Sequence, residues 1–278
     1  MPLVTASQLI YGARAERRGV GAFNVIQVEH AEAFVAAAAR AGTGVVLQIS
    51  QNAAKYHGGL EPIALATLAI ARASSAPVVV HLDHAEDRAL VSEAIALGLN
   101  SVMYDGSALD YEANVEATAD VVREAHARGV FVEAELGKVG GKDGVHAPGV
   151  RTDPAEAVAF VAATGVDALA VAVGSSHAMT DRTAALDFER IAELRAVVPV
   201  PLVLHGSSGV ADADLTRAVE EGMTKINIST HLNNTLTRAL RTYLDQNPAV
   251  VDPRKYLGAG RDAMRDEVVR LLGVLNAA

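Results

Sequence analysis

The chain has 278 residues, of which 50% are hydrophobic and 4% aromatic, with no tryptophan, no cysteine and a formal net charge of −9 at pH 7. The acidic balance predicts no general affinity for nucleic acid or for an anionic membrane, because both require a basic protein face. The lack of cysteine excludes disulfides and thiolate ligands, so a transition metal must be bound by histidine and carboxylate side chains. The first ten residues carry neither a basic leader nor a long apolar run, which predicts a cytoplasmic protein.

Strand-like and helix-like segments alternate along the whole chain. Apolar runs predict strands over residues 20–24, 45–50, the run that follows Pro77 and ends in Asp83 and His84, then 100–105, 130–135, 168–173, 201–205 and 224–229. Amphipathic or alanine-rich runs predict helices over residues 5–18, 29–41, 61–74, 86–97, 110–128, 153–165, 188–197 and 212–221, with a helical C-terminal region interrupted at Asn247-Pro248. Residues 51–59 are predicted to be a loop, and the glycine-rich residues 136–152 a long mobile loop.

The order of these segments predicts the fold class. Parallel strands require crossover helices, and eight such units in succession close on themselves. We therefore predict an α/β fold, a (β/α)8 TIM barrel with an extra N-terminal helix and a C-terminal helical extension, as one domain over residues 1–278. A doubly wound open sheet is the alternative. It would be favoured by a glycine fingerprint after the first strand, and residues 23–27 carry none.

Polar side chains follow nearly every predicted strand. The carboxyl ends of barrel strands form one rim, so these residues are expected to meet in one cavity. They are Asn24, Ser50, Asp83, His84, Asp105, Glu135, His177, His205 and Asn227. Each alone has an ordinary explanation, such as Asp83 or Asp87 capping the next helix. Together they predict a functional site.

Three of these residues, His84, His177 and His205, predict a metal site with an open fourth position, the arrangement that zinc uses in catalysis. Asp105 and Glu135 are then either partners that orient the imidazoles or ligands of an alternate metal position. The other histidines are interpreted as packed, solvated or loop residues: His30, His57, His81, His126, His146 and His231.

An anion site is predicted next to this metal site. Residues 205–209 contain Gly206, Ser207 and Ser208 after the seventh strand, and Asn227, Ile228, Ser229 and Thr230 follow the eighth. Loops at these two positions commonly bind phosphate in such barrels, and the N–H groups at helix starts favour anions. Residues 174–176, beginning with Gly174, could complete the pocket. The alternative is that these serines are ordinary helix caps.

A metal beside a phosphate pocket and one unliganded carboxylate indicates a reaction. The metal would polarise a ketone and hold the enediolate formed when the adjacent C–C bond breaks. Asp83, which neighbours a ligand, would transfer the hydroxyl proton as general acid/base.

Three motifs resemble one family over essentially the whole chain. They are Val80-His81-Leu82-Asp83-His84, then Val132-Glu133-Ala134-Glu135-Leu136-Gly137 with Gly140-Gly141, and Leu202-Val203-Leu204-His205-Gly206-Ser207-Ser208-Gly209. Together they are similar to the class II, metal-dependent fructose-bisphosphate and tagatose-bisphosphate aldolases. The resemblance implies reversible cleavage of a ketose bisphosphate to dihydroxyacetone phosphate and an aldehyde such as glyceraldehyde 3-phosphate, within carbohydrate metabolism such as glycolysis.

The resemblance also implies roles for individual residues. It makes His84, His177 and His205 the ligands of Zn²⁺ or another divalent metal. Asp105 and Glu135 become either partners of these ligands or ligands of an alternate metal position. Asp83 becomes the proton donor to the aldehyde oxygen. The dihydroxyacetone phosphate site comprises Gly206, Ser207, Ser208 and Asn227 to Thr230, with Ser50, Asn24 and Gly174 beside it. A monovalent cation, Na⁺ or K⁺, near the phosphate and a homodimer or homotetramer are implied as well.

Two positions depart from the family pattern. Ala178-Met179 replaces a glycine and a nearby tyrosine after His177, where glycine lets the backbone approach the phosphate or the cation. Lys142-Asp143 stands where many members carry a loop glutamate that exchanges a proton on dihydroxyacetone phosphate, and Asp143 is the candidate substitute.

Four alternatives remain open from the sequence. A Schiff-base aldolase would use Lys225, although a lysine below the rim more often pairs with a barrel carboxylate. A metal-dependent hydrolase would open with a His-x-His pair that the first strand lacks. The other two are an aldolase for a different ketose phosphate and a non-catalytic sugar-phosphate-binding partner subunit.

Overall fold

The computed structural model describes residues 3–136, 151–177 and 179–277. Eight parallel strands close into a barrel in chain order, and β8 pairs with β1. The strands are β1 Val20–Asn24, β2 Val45–Ser50, β3 Val78–Ala85, β4 Ser101–Tyr104, β5 Phe131–Leu136, β6 Ala168–Val171, β7 Leu202–Leu204 and β8 Met223–Ile228. The predicted (β/α)8 barrel is confirmed, and the alternative of an open sheet is wrong because β8 hydrogen-bonds to β1.

Helices surround this barrel and continue beyond its last strand. They are α1 Ala6–Ala15, α2 Val28–Ala41, α3 Gln51–Tyr56, α4 Glu61–Ala73, α5 Arg88–Leu97, α6 Tyr111–His126, α7 Pro154–Thr164, α8 Phe188–Val197, α9 Asp212–Glu221, α10 Thr230–Gln246 and α11 Pro253–Leu275, with a 3-10 turn η1 at Ser207–Gly209. The predicted N-terminal helix and C-terminal helical extension are both present. Across the described ranges, no helix has the length and apolar character needed to cross a membrane.

Two predictions about helices were wrong. Residues 51–59 are not all loop, because α3 forms there and the Oγ atom of Ser50 caps it by accepting from the Ala53 N–H at 3.1 Å. A helix of so few residues shows no apolar periodicity. The helix predicted from residue 86 begins at Arg88, since Asp87 has an extended backbone and its carboxylate caps the Ala89 N–H at 2.8 Å. The cap interpretation is therefore right for Asp87.

The barrel interior is apolar at its amino end. Inward-facing side chains and the helix α1, which contributes Ile10, form one buried cluster there. Its strand members are Val20, Ala22, Val46, Val79, Phe131, Ala168, Ala170 and Val203. They recur at every second position, because successive side chains of a strand point to opposite faces. The second and larger cluster lies between the strands and the outer helices. This packed floor leaves only the carboxyl end of the barrel for polar residues.

Candidate functional site

Polar residues replace apolar ones towards the carboxyl end of the barrel. A buried polar layer lies between the apolar floor and the predicted rim. The buried layer comprises Gln48, His81, Ser101, Glu133 and Lys225. Apart from the Schiff-base alternative for Lys225, no functional role was predicted for these residues. The sequence does carry a signal for this layer. Gln48, His81, Glu133 and Lys225 each precede a rim residue by two positions, and side chains two positions apart in a strand point to the same face.

His84 departs from this alternation. It follows Asp83 directly, so a regular strand would turn the two side chains to opposite faces. The backbone of His84 is instead left-handed, with φ of 49°, and the pairing of β3 with β4 shifts register between Leu82 and Ala85. Such bulges redirect side chains near functional sites. This one allows Asp83 and His84 to serve the same cavity.

The three predicted metal ligands come together. The ring centroids of His84 and His205 are 4.6 Å apart, those of His84 and His177 are 5.1 Å apart, and those of His177 and His205 are 5.7 Å apart. One nitrogen from each ring lies within 4.8 Å of the others. Imidazoles at this spacing, without thiolates, fit a divalent transition metal such as zinc. The donor set therefore suits the predicted ion.

Carboxylates surround the imidazoles. The Nδ1 atom of His84 lies 2.7 Å from Oδ2 of Asp105, whose other oxygen accepts from the Ser107 hydroxyl at 2.6 Å. This contact leaves Nε2 of His84 for a metal and suits Asp105 as an orienting partner. Donor atoms of His84, Asp105 and Glu135 also lie within 4.8 Å of one another, so a second metal position has ligands too. Both readings of Asp105 and Glu135 remain compatible with the geometry.

Glu133 is the residue that sequence reasoning missed. Its Oε1 atom accepts from Nε2 of His205 at 3.0 Å, and both side chains are fully buried. The other ring nitrogen, Nδ1, lies 3.2 Å from Oε2 of Glu135. Burial lowers the pKa of His205, but the neighbouring carboxylates of Glu133 and Glu135 outweigh it and raise the pKa to about 9. A metal must therefore compete with a proton at this ring.

Asp83 is buried and held on one side. Its Oδ2 atom accepts from the Asn24 amide at 3.0 Å, and the Gln48 amide in turn donates to Asn24 at 2.9 Å. Oδ1 is buried and has no hydrogen-bond partner among the described residues. Burial alone would raise the pKa of Asp83. The nearby positive charges of His84 and Lys225 together outweigh burial and lower the pKa to about 2. The free oxygen thus belongs to a carboxylate that can accept a proton.

The loops of the predicted anion pocket lie against one another. A Cβ atom on Gly206, where φ is 68°, would lie 2.6 Å from the carbonyl of Ser176, so glycine allows the loops after β6 and β7 to touch. The Ser208 hydroxyl oxygen accepts from the Ser229 and His231 N–H groups at 3.2 Å each, which joins the loops after β7 and β8. The Oγ atom of Ser175 is buried without a hydrogen-bond partner in the described ranges.

Several residues predicted to bind the substrate use their side chains for contacts within the protein. The Ile228 side chain belongs to the buried apolar core, so only its backbone can face a ligand. Asn24 uses both ends of its amide on Asp83 and Gln48. Ser50 caps α3. Ser208 accepts from N–H groups at the start of α10 but belongs to a different loop, and the N-cap residue Ser229 makes no side-chain cap hydrogen bond, so the interpretation as ordinary helix caps is wrong for Ser208 and Ser229. Asp143, Lys142, Ala178 and His146 lie outside the described residues.

The other described histidines are packed or take part in pairs, which agrees with the prediction except at His57, a predicted loop residue that ends α3. His81 and His30 are each 1% exposed. His126 pairs with Asp167 at 2.8 Å and His231 with Glu267 at 2.6 Å. His57 lies at the end of α3, where Nε2 is 2.6 Å from the Ile26 carbonyl oxygen. Lys225 pairs with a barrel carboxylate, as anticipated, because its Nζ lies 2.9 Å from Oε2 of Glu133.

Comparison with known proteins gives consistent matches over the whole length. The family model "Fructose-bisphosphate aldolase class-II" matches residues 4–278. A fructose-bisphosphate aldolase of Geobacillus stearothermophilus is 39% identical over 273 residues, covering 97% of this chain and 95% of the relative. One of Staphylococcus epidermidis is 38% identical over 285 aligned positions, with 100% of both chains covered. The solved YdjI aldolase of Escherichia coli K12 superposes with a TM-score of 0.86 at 30% identity, covering 98% of this chain and 97% of that one.

Proposed function

The chain belongs to the class-II fructose-bisphosphate aldolase family, and on this premise we propose that it is a zinc-dependent ketose-bisphosphate aldolase. The reaction is the reversible cleavage of fructose 1,6-bisphosphate or tagatose 1,6-bisphosphate to dihydroxyacetone phosphate and an aldehyde such as glyceraldehyde 3-phosphate. The observation that carries the proposal is the meeting of three imidazoles beside a carboxylate with one free oxygen. The chain is proposed to act as one barrel domain, in a homodimer or homotetramer.

His84, His177 and His205 would hold the metal. A bound divalent cation supplies a Lewis acid that polarises the carbonyl next to the bond that breaks. The protein's own contribution is to fix the rings, since Asp105 contacts Nδ1 of His84 and Glu133 contacts Nε2 of His205. Partners of this kind set which ring nitrogen can bind a metal.

Asp83 would move the proton in the cleavage step. Its free Oδ1 accepts the proton of the hydroxyl on the carbon that becomes the aldehyde, while the C–C bond breaks and its electron pair stays with the dihydroxyacetone phosphate fragment. Asn24 holds the other oxygen, which fixes the direction in which the carboxylate faces. In the reverse direction the same carboxyl group returns the proton to the aldehyde oxygen. The proton exchange on the other fragment is proposed for Asp143.

The phosphate of the substrate would bind where the loops after β6, β7 and β8 meet. The contacts of Gly206 with Ser176 and of Ser208 with Ser229 bring these loops together. The buried Ser175 hydroxyl, which has no partner in the part of the chain described, is a donor available to an anion. A monovalent cation, Na⁺ or K⁺, is proposed to accompany the phosphate.

A Schiff-base mechanism through Lys225 has little support. A reactive lysine needs an uncharged amine with access to the substrate. The Nζ atom of Lys225 is instead buried between the Glu133 carboxylate and the Asn227 amide oxygen, at 2.9 Å from each. The amine is therefore engaged by two protein groups and is not presented to a substrate.

The test is to supply zinc-loaded protein with dihydroxyacetone phosphate and a panel of aldehydes, and to determine the configuration of the product. We expect a ketose phosphate to form, and the configuration identifies the substrate. A chelator should abolish the activity, whereas borohydride with dihydroxyacetone phosphate should leave the protein active. Activity that survives full metal removal, or a borohydride-trapped lysine adduct, would overturn the metal mechanism. The absence of any product would favour the non-catalytic alternative.

A further inference from the structure

A buried lysine lies between the metal side and the substrate side of the site. Lys225 on β8 is 1% exposed and is among the largest fully buried side chains of the described chain. The proposed reaction gives its ammonium group no chemical step. Removing a charge from water is costly, and well-packed apolar residues often stabilise a core at least as well as a buried ion pair. Stability alone therefore does not account for a lysine at this position.

One contact of Lys225 leads to the metal side. Its Nζ lies 2.9 Å from Oε2 of Glu133, and Oε1 of the same carboxylate accepts from Nε2 of His205 at 3.0 Å. All three side chains are at most 1% exposed. With Nε2 occupied, His205 can offer only Nδ1 to a metal. The ammonium thus holds the carboxylate, which in turn holds the ring.

The other contact of Lys225 leads to the substrate side. Its Nζ donates to Oδ1 of Asn227 at 2.9 Å. Since the amide oxygen is held, Asn227 presents its Nδ2 hydrogens as donors for a substrate oxygen. An amide free to rotate would present either end.

Apart from the ligand ring of His205 itself, the one other candidate cation near Glu133 among the described residues is His81. His81 is close, with Nε2 3.9 Å from Oε2 of Glu133, and its Nδ1 lies 2.7 Å from the Ser101 hydroxyl. Burial, and then the charge of Lys225, lower the pKa of His81 to about 3, so its ring is neutral at physiological pH. Among the described residues that face Glu133, Lys225 is left as the permanent counter-charge beside the ligand ring of His205.

We propose that Lys225 is a positioning residue, which sets the ring of His205 through Glu133 and the amide of Asn227 directly. One buried ammonium would thereby align the metal ligand with the substrate contact. This inference rests on the proposed function, which assigns His205 to the metal and Asn227 to the substrate. Lys225 itself neither gains nor loses a proton and forms no covalent bond with the substrate.

The experiment compares Glu133→Gln, the double variant Lys225→Met with Glu133→Gln, and the exposed control Lys55→Met. The double variant removes both charges and so leaves no unpaired ion in the barrel. Two quantities are measured: the zinc Kd by chelator competition without substrate, and KM and kcat for the ketose bisphosphate at saturating zinc. Both Glu133 variants should raise the zinc Kd by about 10- to 100-fold, the usual effect of losing a partner of a ligand. Only the double variant should also raise KM, because Asn227 loses its anchor.

The outcomes separate the possibilities. A folded double variant with the wild-type zinc Kd and KM, and only a lower Tm, would assign Lys225 a purely structural role and overturn the proposal. If the double variant does not fold, Glu133→Gln alone decides, since an unchanged zinc Kd contradicts the link to His205. Failure of the wild-type protein to cleave any ketose phosphate while it binds zinc would defeat the proposed function. The effect of Glu133→Gln on zinc affinity would still be measurable in that case.

Discussion

The side-chain amide of Asn24 donates a 3.0 Å hydrogen bond to Oδ2 of Asp83, while Oδ1 of that carboxylate has no hydrogen-bond partner among the described residues. One oxygen therefore fixes the orientation of the group and the other is available for proton transfer. Asp83 lies on β3 beside His84, so the carboxylate and the candidate metal ligand are placed by the same few residues. Loss of its charge should affect the reaction more than the fold.

Asp83→Asn should lower kcat by about 10²- to 10⁴-fold, the usual contribution of a positioned acid or base. The amide keeps the shape and can still contact Asn24, so zinc affinity and Tm should stay close to wild type. The measurements are steady-state kinetics and zinc titration. Asp87→Asn is the matched control, since Asp87 caps α5 two residues beyond β3. It should leave both stability and kcat close to wild type, because asparagine caps a helix about as well as aspartate. A kcat for Asp83→Asn equal to that of the control would contradict the role of Asp83.

Zinc should stabilise the folded protein. A ligand that binds only the native state adds about 2.7 kcal/mol at 100 times its Kd. His177→Ala should lose most of this gain, because the site keeps only two of its imidazoles, while His126→Ala on α6 should retain it. The affinity should also fall as the pH is lowered, since a proton on His205, whose pKa is raised to about 9, competes with the metal. Urea unfolding with and without zinc measures both effects. Equal gains in the two histidine variants would exclude His177 from the site.

Gly206→Ala and Gly42→Ala form a matched pair. Both glycines are left-handed, with φ of 68° and 67°, but a Cβ atom on Gly206 would meet Ser176 at 2.6 Å and one on Gly42 would meet nothing within 4 Å. Gly42→Ala should cost about 1 kcal/mol of stability through backbone strain alone. Gly206→Ala should cost more and should also raise KM, because it separates the loops of the proposed phosphate pocket. Denaturant unfolding and steady-state kinetics test this. An unchanged KM in a folded Gly206→Ala variant would place the phosphate elsewhere.

Glu267→Gln should lower stability at neutral pH but not in acid. Burial alone would raise the pKa of Glu267. Hydrogen bonds from His231 and Arg270 together outweigh burial and lower the pKa to about 2. This is below the unfolded value of about 4.3, so the carboxylate contributes its full stability above that pH and loses it as the pH falls towards 2. Urea unfolding at pH 7, 4.3 and 3 measures the trend. The exposed Glu116→Gln is the control, and a constant difference between wild type and Glu267→Gln at all three pH values would contradict the assignment.

The barrel and most of its rim could be predicted from local patterns. Apolar runs followed by amphipathic runs identified every strand, although the ends of β6 and β7 were predicted too long. The three histidines were predicted to meet because each follows a different strand, and their ring centroids are indeed 4.6 to 5.7 Å apart. The short helix α3 was missed, since its formation depends on the Ser50 cap more than on periodicity.

The chain alone determined the number and order of the units, the excluded ligand types and the residues at the strand ends, because these follow from side-chain period and composition. Only the tertiary structure decided what those residues contact. The left-handed backbone of His84 accompanies a register shift between neighbouring strands. The contacts from Lys225 through Glu133 to His205 join β8, β5 and the residue that follows β7. Such contacts depend on strand pairing and on the burial of charge, which no stretch of sequence specifies by itself.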